Sequence, residues 1–137
     1  MKTALAGAAY FAVVFACAFA VGTVRVLIIT PRVGEVAALL LEAPIIIALS
    51  WLVCGWSVRR FTVPTDAADR VSMGVVAFAL LMAAEAGLAV LVFGQSLAAH
   101  FAAYTRFAGA LGLSAQLVFA AMPSIHAALV RRPARKR

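Results

Sequence analysis

The sequence predicts an all-α integral membrane protein: a four-helix bundle with both termini cytoplasmic and a short interfacial segment between spans 3 and 4. Composition is the first ground. Of 137 residues, 66% are hydrophobic and 12% charged, whereas soluble domains carry about 25% charged residues; mean hydropathy is +1.06. Patterning is the second. The apolar residues fall into four continuous runs long enough for the roughly 20 residues that a bilayer helix needs. None shows the alternation of a barrel strand. Charge placement is the third, because the basic residues gather at the ends of those runs, as membrane flanks do. The chain reads as a single transmembrane domain over 1–137.

The first run covers about 4–30, with Lys2 before it and Arg25 near its end; Pro31 and Arg32 are expected to break it. Lys2, the apolar stretch and Ala18-Phe19-Ala20 also fit a secretory signal with a small-residue cleavage site. Apolar character continuing through Val26, Leu27, Ile28 and Ile29 favours an uncleaved span instead. A stripe of Ala8, Ala12, Ala16 and Ala20 at spacing four permits close helix contact, within the chain or between protomers.

The second run covers about 33–56 and stops at Arg59 and Arg60. Glu35 and Glu42, seven apart, share one helical face. Pro44 is expected to free a backbone carbonyl near Glu42, and Trp51 and Trp56 read as anchors at the inner interface. A polar stretch, 62–70, follows with Pro64, Asp66 and Asp69, and Asp69 is expected to cap the next helix. The third run, about 71–93, carries Glu85 and a second small stripe, Ala79, Ala83 and Gly87.

Segment 94–106 is amphipathic: Leu97, Phe101 and Tyr104 share a helical face, as in a segment lying on the membrane surface. The fourth run, about 107–130, contains Gln116 and Pro123, and His126 near its end reads as solvated or touching headgroups. The basic tail Arg131, Arg132, Arg135, Lys136 and Arg137 is expected to bind anionic lipid headgroups.

Orientation follows from counting. With both termini inside, the cytoplasmic face holds Lys2, Arg59, Arg60, Arg70 and the five tail residues, nine basic groups, against Arg25, Arg32 and Arg106 outside. Ten arginines against two lysines, abundant alanine and no asparagine resemble the product of a GC-rich bacterial gene. The expected location is therefore a bacterial inner membrane. The net charge of +7 is spread over membrane flanks, so no nucleic-acid partner is expected. The expected partners are the lipid bilayer and either further copies of the chain or other subunits of a membrane complex.

The two cysteines, Cys17 near mid-bilayer and Cys54 near the inner surface, lie too far apart to bridge and read as apolar thiols. No cofactor and no metal is expected, for there is no histidine pair at ligand spacing, no cysteine cluster and no glycine-rich phosphate loop. No nucleophile elbow is present either, so an enzyme is not expected; intramembrane catalysis would have to use the glutamates.

Two glutamates standing inside membrane-length apolar runs are the most informative positions, since a carboxyl group in hydrocarbon needs a partner, a proton or a function. At 1.5 Å per residue, Glu42 lies about nine residues into the second run, Glu85 about eight before the end of the third, and Gln116 about nine into the fourth. All three fall in one layer in the outer half of the bilayer. Arg25, Arg32 and Glu35, with His100, Tyr104 and Arg106 above, would form an outer entrance or supply ion pairs.

Two readings of the layer stand. In one, the carboxyls bind a proton or cation, and the chain is a transport-type or channel-forming protein. In the other, Arg25 pairs with one glutamate, Gln116 bonds the other, and the network fixes helix register in an accessory subunit.

Overall fold

Apolar side chains offer nothing to the backbone N–H and C=O groups, and each apolar run satisfies its own backbone as a helix. The structure, a computed structural model, describes residues 1–130; the expected headgroup-binding tail lies outside the described residues. Helix α1 spans Lys2–Val33, α2 Glu35–Arg60, α3 Ala67–Leu91, α4 Leu97–Ala103 and α5 Phe107–Val130. No strand occurs among the described residues. Helices α1, α2, α3 and α5 are long and apolar enough to cross a membrane.

Helix α1 does not end at Pro31 as the sequence predicts. The turn Arg25–Ile29 is widened to i→i+5 bonding, with the Thr30 N–H reaching the Arg25 carbonyl. Pro31 then stands at the start of a renewed α turn, where a missing N–H is tolerated. The break falls at Gly34, whose φ of 83° and ψ of 164° belong to a region essentially reserved for glycine. A single residue thus reverses the chain from α1 into α2.

Helix α2 closes with Thr62 in the left-handed region (φ 52°) and the Val63 N–H on the Val58 carbonyl at 3.0 Å, a Schellman-type end. Arg70, 4% exposed, pins the following loop by donating from Nε to the Pro64 carbonyl at 2.9 Å. Asp66 rather than Asp69 occupies the cap of α3. Asp69, one turn in, accepts a hydrogen bond from Thr3 Oγ1 at 2.8 Å and ties the chain's start to this loop. The segment between the third and fourth long helices contains the seven-residue helix α4, capped by Ser96 Oγ accepting from the Ala99 N–H.

Helix α1 packs on α2 and α3, and α5 packs on the same two, so α1 and α5 lie on a diagonal. Tyr10 crosses that diagonal: its ring stacks on Phe119 at 4.4 Å and its hydroxyl donates to the Phe119 carbonyl at 3.0 Å. Close approach depends on two glycines. A Cβ on Gly7 would stand 2.7 Å from the Met73 carbonyl oxygen, and one on Gly74 would stand 2.0 Å from that of Ala120. His126 is partly exposed and lies against Trp51, ring centroids 4.8 Å apart. Cys17 and Cys54 are free thiols.

The core is strongly lopsided. Ala6, Tyr10, Val14, Val53, Cys54, Met73, Ala77, Phe119 and Met122 are buried, and all lie in the half of the bundle that holds the N-terminus and the α2–α3 loop. Toward the opposite end only Ala38 and Ala89 are buried among the described residues. The bundle is closed at one end and open at the other, and the polar layer lies in the open half.

Candidate functional site

Arg25 leaves α1 at the start of the widened turn, and Glu42 leaves α2 one to two turns after its beginning. Their side chains meet with Nε 2.5 Å from Glu42 Oε2, a charge pair only 20% and 14% exposed. Gly22, one turn before Arg25, faces the pair, and a Cβ there would stand at ordinary contact distance, 3.6 Å from Glu42 Oε1.

Glu85, on α3, has different company. Gln116 Nε2, from α5, donates to both carboxylate oxygens at 2.7 Å. The Tyr104 hydroxyl, just beyond α4, donates to Glu85 Oε2 at 3.1 Å, and His100 Nε2 lies 3.4 Å from the same hydroxyl. Burial, and after it the neighbouring Glu85 carboxylate, push the Tyr104 phenol up to about 12, so near neutral pH it keeps its proton and stays a donor. Because the Gln116 amide nitrogen must face the carboxylate, its carbonyl is turned elsewhere. Gln116 Oε1 is buried with no hydrogen-bond partner among the described residues.

Both carboxyls open onto space. One cavity of about 430 Å³ lies between α1, α2, α3 and α5, its walls mainly apolar and including Phe11, Phe15, Leu39, Ile46 and Phe119, with Gln116 among its lining residues. A second, also about 430 Å³, lies between α1 and α3 and reaches Gln95 and His100. The two share Phe15, Ala18, Arg25, Glu42, Leu81 and Glu85, so the charged layer is where they meet. A volume of this size accommodates a small organic molecule.

The structure therefore gathers Arg25, Glu42, Glu85, Gln116 and His100 along two adjoining cavities, with Tyr104 hydrogen-bonded to Glu85. It does not gather the rest. Arg32 is exposed and donates back to the Ile28 carbonyl one turn earlier, Glu35 is exposed at the start of α2, and Arg106 is exposed beyond α4. None of these three lines either cavity. Sequence reasoning missed Gln95, whose signal was a polar side chain just past the end of an apolar run. It also missed the phenylalanine walls, which nothing in an apolar helix sets apart from lipid-facing neighbours.

The pairing is the one that the structural reading of the layer requires, each glutamate having a partner on another segment. The cavities are what that reading does not require. Compared with protein families, with curated proteins and with solved structures, the chain matches none.

Proposed function

We propose that this chain is a multi-pass protein of the bacterial inner membrane, both termini cytoplasmic, that works as a transport-type protein with a proton or cation site at Glu85. The observation that carries this reading is the division of charge in the layer. Glu42 is paired with the guanidinium of Arg25, whereas Glu85 accepts directly from the uncharged donors Gln116 and Tyr104, with the His100 imidazole one hydrogen bond further out, at the junction of two cavities. A carboxylate that is hydrogen-bonded but not neutralised, in an apolar layer, attracts a positive charge. In this reading Gln116 orients Glu85, the Arg25–Glu42 pair holds α1 against α2, and His100 and Tyr104 stand over the site. A bundle sealed at one end and open at the other suits a protein that exposes its site to one side at a time.

Four spans make a thin wall, so the working form is taken to be a homo-oligomer or part of a larger membrane complex. Ala12, Ala16 and Ala20 are exposed on the outside of α1 and offer a close-contact face for it.

The test is flux in proteoliposomes of the purified full chain, with a pH dye and a cation dye trapped inside. Wild-type protein is expected to carry proton or cation flux, and Glu85→Gln to lose at least about nine-tenths of it while Tm moves by only a few degrees. The second reading, an accessory subunit whose polar pairs lock the helices, is favoured by the partner found for each carboxyl. It predicts no wild-type flux and a clear loss of Tm in Glu85→Gln.

A further inference from the structure

We infer that the occupant of the Glu85 site is a lipophilic amine in its protonated form, its ammonium group on Glu85 and its apolar body in the cavity walled by Phe11, Phe15 and Phe119. This deepens the reading of Glu85 as a cation site and rests on it.

Acceptors are the first ground. An ammonium group brings several N–H donors and no acceptor. The site offers the two Glu85 carboxylate oxygens, and Gln116, whose Nε2 bonds both, also carries a buried Oε1, turned away from them, with no partner among the described residues. A buried carbonyl left unbonded costs free energy that a donor on a ligand would recover. A spherical inorganic cation would be poorly served, since no group of three or more metal-ligating side chains occurs among the described residues.

The cavity wall is the second ground. Phe11, Phe15 and Phe119 line the space that also holds Glu85. Ring faces attract organic cations and accept apolar bodies, whereas a hydrated metal ion gains little from such walls. About 430 Å³ is far more than a proton or a single ion needs and is in the range that holds a small organic molecule.

Charge balance is the third. With Arg25 committed to Glu42, one positive charge on the ligand leaves the layer neutral. An anion would face Glu85, and a neutral molecule would leave the charge of Glu85 to be balanced by a proton.

The measurement is equilibrium binding to the full-length protein in nanodiscs at neutral pH, without any gradient. Three probes of one shape are compared: 2-phenylethylamine, the neutral 2-phenylethanol and the quaternary N,N,N-trimethyl-2-phenylethylammonium. The primary amine is expected to bind at least about tenfold more tightly than the alcohol, with the quaternary cation in between because it keeps charge but donates no hydrogen bond. Glu85→Gln is expected to weaken the amine at least about tenfold and leave the alcohol unchanged.

Equal binding of amine and alcohol to wild-type protein overturns the inference, and that arm needs no variant to fold. Amine binding untouched by Glu85→Gln overturns it as well. Glu85-dependent proton flux in a protein that binds no amine would remove the amine and leave the transport reading standing. Glu85-dependent amine binding without flux of any kind would do the reverse.

Discussion

Removing one member of a charge pair in an apolar layer does more harm than removing both, because the survivor is left without compensation. Arg25 and Glu42 are such a pair. Glu42→Gln is expected to lower unfolding stability by roughly 3 kcal/mol, the lower end for breaking a buried pair. The double variant Arg25→Gln, Glu42→Gln should recover at least about half of that, as read by thermal unfolding of the detergent-solubilised protein. A double variant as unstable as the two single losses summed would mean that the pair is not coupled. That these groups share one level of the bundle was legible in the sequence, because a fixed rise per residue converts spacing into height; counting put Glu42, Glu85 and Gln116 together, and all three line one cavity. Their partners were only half legible. Which glutamate meets Arg25 depends on helix rotation, and the widened turn at Arg25–Ile29 resets that rotation where no residue type announces it.

At the scale of elements, the four long helices follow from hydropathy, while their ends and contacts follow from backbone detail. Helix α1 runs past Pro31 to Gly34, because a widened turn absorbs the proline and only glycine takes the reversing conformation. The alanine stripe that spacing singles out on α1 is exposed at Ala12, Ala16 and Ala20, and the contacts inside the bundle are made by Gly7 and Gly74 instead. In so alanine-rich a chain, spacing does not separate the two faces; the absence of a Cβ against a facing carbonyl does. Gly74→Ala is therefore expected to force α3 and α5 apart and cost roughly 1–3 kcal/mol. Gly87→Ala meets nothing within 4 Å and should be neutral or gain up to about 1 kcal/mol from helix propensity. Unfolding of the two variants side by side checks this, and an equal effect would mean that α3 does not press on α5 through Gly74.

At the scale of the molecule, the feature with most consequence is the closed and open division of the bundle, and hydropathy could not have shown it. All four runs are apolar along their whole length, yet the core gathers where small and hydroxyl residues, Gly7, Ser50, Gly55, Ser57 and Gly74, let the helices approach. The other half is held apart by long side chains that meet across it, Arg25 to Glu42 and Gln116 to Glu85. If that half is open in the bilayer, water reaches its walls and does not reach the core. On a background with Cys17 and Cys54 replaced by alanine, Ala18→Cys and Ala115→Cys, both in cavity walls, should react with a small water-soluble thiosulfonate. Ala6→Cys and Ala77→Cys, at 0% exposure, should react at least about tenfold more slowly, because a thiol away from water does not form the thiolate that reacts. With an impermeant reagent added to intact cells, labelling of Ala18→Cys is expected from outside, if the orientation read from the basic residues of the sequence holds. Labelling only from the cytoplasmic side would invert the orientation while keeping the cup. Equal rates at all four positions would mean that the open half closes in lipid, and Glu85 would then have no path to any ligand.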